Sequence, residues 1–494
     1  MPFHADIKKW CDLKPNAKAV SIGDETFSFQ TLIAKRNELN CRVFETDARQ
    51  SSHQIDAKVI ALVAENSLQF ISQFLSATYW RNCCFLLSSA LKASQIKSIC
   101  EQVAPDIIFP HPLFGEFEHS YPEVANAENA QFDEHQIGEN DDSARMPFLI
   151  GLTSGTTSQP KAFIRSRLSW QSSLLRSRAT FNVDETTTTI SPGPLAHGLS
   201  LYALAETLSA GAHFVSMEKF DAGGLVKLAL NHSAKRLVLV PTMLSALCRY
   251  LETEDIKLDQ ITSIVSAGSK LDGALLQRAN QQIPNAPIFE YYGASELGFI
   301  TYALRQSGDE TDVGKAFPGV ELAILDADGN ELPAGQSGKV CVKSDLICDG
   351  YLSQQDDVGF TVKNGWASVG DIGSLDTDGK LTLAGREGDM IISGGNNIYP
   401  SSIETVLAGL SNLENCAVLG MEDAHLGSRL IAVVAGENLK AEDLHTHCLK
   451  NLPSYAVPKA FYSVKTWPMT ESGKISKKIL MDWVASNHDQ LRKL

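Results

Sequence analysis

From Lys58 onward the chain alternates short apolar runs with stretches of helical period. KVIALVA is followed by a segment opening at Asn66-Ser67, then CCFLL, then a helical pattern from Lys92 to Val103, then DIIF. Strand, helix, strand predicts a parallel sheet with crossover helices. The rhythm stops between about Tyr121 and Arg145, where a polar, acidic and aperiodic stretch reads as a surface connection. A second run then begins. MPFLIG reads as a strand, Leu168 to Arg178 as a helix, TTTTI as a strand, Leu199 to Leu208 as a helix, and AHFV and RLVLV as strands before a helix from Met243 to Leu251. SIVS and PIFEYY follow, each ending at a glycine-containing turn. Two consecutive α/β lobes are therefore expected over about residues 1–300.

After Asp312 the pattern shortens to strands and turns: VELAIL, the turn DADGN, GKVCVK, and a hairpin around DTDGK at 376–380, where Asp378-Gly379 is a strong turn signal. A small β-barrel-like unit over about 312–387 is the expectation. From about Asp389 an α+β block begins, with a helix after Pro400, AVLG, LIAVVAG, a helix through Leu452, the strand AFYSV and a closing helix. The fold class is thus α/β and multi-domain, with no internal repeat.

Composition narrows the classes. At 494 residues the chain exceeds one compact core, and 44% apolar with 20% charged residues is ordinary globular usage. With 58 acidic against 43 basic side chains the net charge is −15, a sign opposed to nucleic acid or an anionic membrane surface. The ten cysteines form no CxxC pair and no zinc-like spacing, so they read as small buried hydrophobes. The first residues, MPFHADIKKWCDLKPNAKAV, lack an apolar signal core, and no run of about 18 apolar residues could span a bilayer. A reduced, cytoplasmic protein is expected, as monomer or homodimer.

The most informative segment is Thr153–Lys161, TSGTTSQPK, directly after the strand MPFLIG. Small and hydroxylated residues add little to a core. A turn built from them exposes backbone N–H groups and hydroxyls and ends in one ammonium, as a polyphosphate cradle requires. A solvated Ser/Thr linker has the same composition. A Walker A loop is excluded, because Pro468 stands five residues before Gly473-Lys474 and Asp309 five before Gly314-Lys315. A GxSxG elbow is excluded because the residue between Gly151 and Gly155 at the serine position is Thr153.

TSGTTSQPK resembles the phosphate loop TSGTTGxPKG of the adenylate-forming superfamily, which includes acyl- and aryl-CoA synthetases. It departs at Ser158 and Ala162, where that family has glycine. Further resemblances follow in order. YYGASE (Tyr291–Glu296) is similar to the family's YGxTE, with Ser295 keeping the hydroxyl; WASVGDI (Trp366–Ile372) to GDxG; GREGDMIISGGNNIYPSSIE (Gly385–Glu404) to the inter-domain hinge; and TESGKISKKIL (Thr470–Leu480) to the C-terminal lysine loop. The hinge stretch is most similar to aryl- and fatty-acyl-CoA ligases.

The resemblance implies a large N-terminal domain, 1–387, and a small mobile C-terminal domain, 388–494, hinged at Gly388, where the family commonly has Asp or Lys. It implies that Thr153, Ser154, Gly155, Thr156, Thr157 and Lys161 hold the phosphates of ATP, and that Glu296 binds Mg²⁺. Tyr292 would stack on adenine, while Asp371 and Arg386 would hold the ribose, with Ser295 nearby. Residues near His197, Ala267, Gly268, Tyr291, Gly293, Ala294 and Ile300, mostly small or apolar, would border the acid. Lys474 would reach the carboxylate and α-phosphate, and Gly394 and Gly395 would line a thiol channel. Each residue also has a bland reading: a capping glutamate, a sheet tyrosine, solvated turn residues, a surface histidine, an exposed turn lysine.

The implied reaction is acid:thiol ligation, in which a hydrophobic acid, aromatic or fatty, is activated by ATP to an acyl-adenylate and passed to coenzyme A. Alternatives left open are a carrier-protein phosphopantetheine arm as acceptor, and a non-catalytic nucleotide-binding protein.

Overall fold

A computed structural model describes residues 3–48, 58–114, 145–153, 161–305, 312–352, 360–394, 396–410, 412–423, 425–469 and 475–494. Three of the sequence expectations fall outside these residues: nearly all of the acidic connection, the loop residues Ser154–Thr157, and Gly395 with Lys474. Among the described residues no helix is long and apolar enough to cross a membrane.

The first sheet has six strands. Val59–Ala64 lies between Cys83–Ser88 and Ile107–Ile108, parallel to both. Pro147–Thr153 continues the parallel order beside Cys83–Ser88 and turns back into Lys161–Ser166, which accepts Gly350–Tyr351 as an antiparallel edge. Val59–Ala64 and Cys83–Ser88 are buried almost throughout, which is why they read as unbroken apolar runs rather than alternating ones. The helix Leu68–Ala77 between them starts where Ser67 accepts a hydrogen bond from Phe70 N at 3.1 Å.

The second sheet has nine strands and is parallel through its centre: Ile288–Ala294, Ser263–Ala267, Arg236–Leu239, Thr188–Ile190, His213–Ser216 and Lys18–Ile22, with antiparallel strands at both ends. The chain does not fill the two sheets in sequence order. The hairpin of Lys18–Ile22 with Glu25–Ser28 forms an edge of the second sheet, and Gly350–Tyr351 returns to the first. The reason is burial: Ala19, Val20 and Phe29 are completely enclosed at that edge.

Between the sheets lie the helices Arg167–Thr180 and Gly198–Ser209. A chain of ring contacts crosses this layer, from Phe148 to Trp170 (5.0 Å between centroids), Trp170 to Tyr202 (5.5 Å), Tyr202 to Phe299 (5.1 Å) and Phe299 to Phe317 (4.5 Å). The two lobes thus share one core, and the carboxyl ends of their strands keep a fixed relation. All ten cysteines are free, and all but Cys11 and Cys416 are buried, as expected of small apolar side chains.

In the β unit, Gly338–Lys343 pairs with Glu321–Leu325 on one edge and with Trp366–Ser368 and Asp371–Leu375 on the other. The expected hairpin joins Asp371–Leu375 to Leu381–Arg386, and Asp376 Oδ1 accepts from Asp378 N (2.9 Å) and Lys380 N (2.8 Å) to form its turn. The small C-terminal domain carries a four-stranded sheet, Leu413–Asp423, Gly427–Gly436, Ala460–Val464 and Leu491–Lys493, with separate cores on its two faces.

One charged network is buried where the second sheet meets the β unit. Arg305 donates to Glu290 Oε2 at 2.6 Å and to the Asp312 carbonyl at 2.5 Å, while Glu290 Oε1 accepts from Leu271 N at 2.7 Å. Removing Arg305 would strand an enclosed carboxylate. Arg305→Leu is expected to lower unfolding free energy by about 3–5 kcal/mol in chemical denaturation, and the double change with Glu290→Leu by less than the sum of the two single changes. Additive losses would show that the pair does not interact.

Candidate active site

Thr153 and Lys161 are paired residues across the antiparallel hairpin, so the ends of the Ser/Thr-rich segment are held side by side at the sheet edge. Lys161 is 9% exposed, and its Nζ lies 5.4 Å from the centre of the Tyr351 ring. Tyr351 arrives on the edge strand, opposite Phe163. Its hydroxyl donates to Glu296 Oε1 at 2.6 Å, with the Thr153 side chain close by. Burial, with the Glu296 carboxylate beside it, pushes the Tyr351 phenol above its ordinary value. Lys161, Glu296 and Thr153 therefore gather around Tyr351, a residue that sequence reasoning missed.

What brings Glu296 there is Arg165, four residues after Lys161 on the same strand and also missed. Its buried guanidinium donates from Nη2 and Nε to the Ser295 carbonyl (2.7 and 3.1 Å) and from Nη1 to the Leu346 carbonyl (2.6 Å). Burial draws its pKa below the usual guanidinium value, opposed chiefly by Cys348 and then by Glu296. The turn it grips needs two glycines. A side chain at Gly293 would meet the Gly298 carbonyl at 2.4 Å, and Gly298 has φ +74° with the Leu346 carbonyl 2.9 Å from where a Cβ would sit.

Tyr292, Asp371 and Arg386 form a second group. Asp371 and Arg386 are paired residues of the β-unit hairpin, and Arg386 Nε donates to Asp371 Oδ1 at 2.8 Å. The Tyr292 hydroxyl donates to Asp371 Oδ2. Burial and the adjoining carboxylate hold that phenol well above its ordinary value. Asp371 is buried, whereas the Arg386 side chain is half exposed, so the group presents its cationic end outward.

Ala267 and Tyr291 are in register at the ends of neighbouring parallel strands, and Gly268 follows with φ +99°. Ligands of open α/β sheets bind at such carboxyl ends. His197 is half-buried at the start of the helix Gly198–Ser209 and makes no capping bond with its side chain. The segment before it is clamped by Asn66, a further residue missed, which donates to the carbonyls of Gly193 (3.0 Å) and Met217 (2.8 Å) and accepts from Leu195 N (2.8 Å).

The remaining predicted residues belong to the C-terminal side. Gly394, with φ +56°, ends the strand Ile391–Ser393, and its N–H bonds the Leu426 carbonyl at 2.9 Å within the C-terminal domain. Gly388 is not among the glycines with left-handed backbone, and a Cβ there would meet nothing within 4 Å. The glycine is therefore not demanded by this conformation. Lys474 lies outside the described residues, but the segment 470–474 is bracketed by the paired Met469 and Ile475, and Lys477 just beyond pairs with Glu404 at 2.7 Å. Among the described residues no group of three or more His, Cys, Asp or Glu is arranged to hold a metal.

These arrangements meet a consistent set of relatives. Residues 7–352 match the AMP-binding enzyme family and residues 402–474 the AMP-binding enzyme C-terminal domain. The chain belongs to this family, the adenylate-forming acyl- and aryl-CoA synthetases. It is 32% identical over 340 residues to the uncharacterized acyl–CoA ligase YhfT of Bacillus subtilis, covering 68% of this chain and 69% of that one. It is 27% identical over 472 residues to the 2-succinylbenzoate–CoA ligase of Bacillus pumilus, covering 94% of each. In fold it is similar to the o-succinylbenzoate CoA synthetase of Bacillus subtilis solved with its acyl-adenylate intermediate, with TM-score 0.80 and 22% identity over 96% of this chain and 97% of that one.

The phenols give a test of the geometry. Burial raises the pKa of Tyr202, Tyr291, Tyr292 and Tyr351. Unfolded phenols ionise near about pH 10, so in that range unfolding releases protons and stability is expected to fall as pH rises beyond it. Tyr351→Phe removes one such group, and its stability should fall less steeply above pH ~10 in denaturation series. Equal slopes would mean that Tyr351 is not enclosed against Glu296.

Proposed function

We propose that this enzyme activates a carboxylic acid of largely apolar body, aromatic or fatty, with ATP to an acyl-adenylate and pyrophosphate, and then transfers the acyl group to the thiol of coenzyme A. The observation that carries the reading is the meeting of Lys161, Glu296 and Thr153 around Tyr351, with Tyr292, Asp371 and Arg386 grouped beside the same turn. Anionic, hydroxyl and cationic groups are thereby set out at the carboxyl ends of strands, as a phosphate-bearing ligand requires.

A carboxylate is ionised at neutral pH and needs no general base. Its attack on the α-phosphate needs alignment and charge neutralisation. Lys161, at the start of the hairpin's second strand, supplies a positive charge whose position is fixed by burial. The Ser154–Thr157 segment supplies N–H and hydroxyl donors toward the phosphates. Tyr351 occupies Glu296 Oε1, and no described residue engages Oε2. Mg²⁺ binds through one or two carboxylates plus substrate phosphates, so this donor set fits it. When bound it would neutralise phosphate charge. Asp371, held by Tyr292 and Arg386, keeps acceptor capacity for ribose hydroxyls.

The adenylation step takes Lys474 as its second cation, reaching the carboxylate and the α-phosphate. Thioester formation takes Gly394 and Gly395, whose lack of side chains permits close approach of a thiol arm. Rotation of residues 388–494 about Gly388 exchanges the two, and the open space around Gly388 is compatible with that hinge.

Carboxylate-dependent ATP–pyrophosphate exchange tests the proposal. Purified protein is expected to exchange with aromatic or C4 to C16 acids, and Lys161→Ala to lose about 10²–10³-fold. Lys474→Ala should lose most adenylation yet still form thioester from preformed acyl-adenylate. A folded protein with no exchange across the panel would contradict the activity, and full adenylation by the Lys474 variant would contradict that residue's role.

A further inference from the structure

The proposed reaction needs a slot for the body of the acid, and a cavity beneath Tyr291 has an unexpected end. The helix that starts at His197 turns Leu199, Ala203 and Glu206 toward it, spaced as one helical face, and the second sheet supplies Val238, Val265 and Tyr291. Val238 is in register with Val265, and Ala267 with Tyr291, so these side chains share one sheet face. Arg236 lies on that face too, two residues before Val238. It is in register with Ser263, four residues before Ala267, which sets it about 13 Å deeper along the strands than the edge where the reacting groups gather.

Arg236 and Glu206 are 2% and 1% exposed, and Arg236 Nη1 lies 2.7 Å from Glu206 Oε2. Their remaining bonding capacity is not met. Among the described residues Glu206 Oε1 and Arg236 Nε meet no hydrogen-bond partner, Nη1 approaches Glu206 in a direction that does not make a hydrogen bond, and the guanidinium's other neighbour is the Phe181 ring, 5.9 Å from its centroid. Their neighbours around the cavity are mostly apolar, Phe299 and Val265 among them. An enclosed ion pair left unsatisfied costs stability that a pair of apolar side chains would not, and buried polar groups are otherwise nearly always bonded. The cavity itself is about 10 Å³, room for one water.

We infer that Glu206 and Arg236 form the distal end of the acid-binding slot and select an acid bearing a hydroxyl at the tip remote from its carboxylate. A hydroxyl is both donor and acceptor, so one group can donate to Glu206 Oε1 and accept from Arg236 Nε. A methyl end leaves both unsatisfied, and a second carboxylate meets the charge of Glu206. The inference rests on the proposed acid activation and deepens it. It retains a hydrophobic acid with little charge beyond its carboxylate and adds a polar far end to a lining expected to be mostly small or apolar.

The test compares matched acids, 4-hydroxycinnamate with cinnamate and 10-hydroxydecanoate with decanoate, by calorimetric binding to the full chain with AMP present and by exchange kinetics. The hydroxy acid of at least one pair is expected to bind about tenfold or more tightly, with a larger ratio in kcat/KM, because a site built to bond a hydroxyl rejects its absence strongly. Glu206→Leu with Arg236→Met should erase or reverse the preference. If that double variant fails to fold, Arg236→Lys, which moves the donors while keeping the charge, should weaken it. Equal or weaker binding of both hydroxy acids by the wild-type chain overturns the inference whatever the variants do. A hydroxyl preference in binding with no exchange for any acid would sink the proposed reaction and leave the slot standing.

Discussion

The arrangement at the candidate site depends on one enclosed guanidinium. Arg165 sits on the strand that begins with Lys161, and its donors go to the backbone of two segments that arrive from far along the chain, at Ser295 and Leu346. A buried cation is costly unless its donors are used, so the fold that satisfies Arg165 also fixes where these segments lie. Glu296 follows Ser295 directly, and Tyr351 lies five residues beyond Leu346. One constraint therefore brings a carboxylate and a phenol to the mouth of the hairpin that carries the ammonium and Thr153.

The sequence made visible whatever depends on local pattern. Buried parallel strands such as VIALVA read as apolar runs, helix starts coincided with Ser67 and Pro400, and Asp378-Gly379 marked a turn. Motif resemblance picked out Tyr292, Asp371 and Arg386, which the structure brings into hydrogen-bonding contact. Contacts that span the chain left no local trace. Asn66 meets Gly193 across 127 positions and Arg165 meets Leu346 across 181, and neither lies in a recognisable pattern. Arg236 looked like the first residue of an ordinary strand, and Glu206 like a polar position on a helix, yet both are enclosed. The placement of the Lys18–Ser28 hairpin in the second sheet escaped for the same reason, since register with Phe214 and Val215 is set by burial in three dimensions.

The net charge of −15 coexists with a concentration of cations near the carboxyl ends of the strands. Lys161 and Arg165 are enclosed and Arg386 is half exposed, so the positive charge is confined to the site while the overall field remains negative. Such a surface disfavours polyanions in general, and a small phosphate-bearing ligand must find its attraction at short range. Specificity for the acid then falls to the slot between the helix Gly198–Ser209 and the second sheet, whose far end is polar.

Arg165 positions the site rather than merely filling space. Arg165→Met keeps much of the side chain's volume and removes its donors. Hydrogen exchange on this variant, measured beside pyrophosphate exchange, is the most direct test. Faster backbone exchange confined to residues around 294–298 and 346–351 is expected, with protection elsewhere unchanged and a fall of about 100-fold or more in kcat/KM, as when a small displacement misaligns reacting groups. Wild-type activity with unaltered protection of both segments would contradict it.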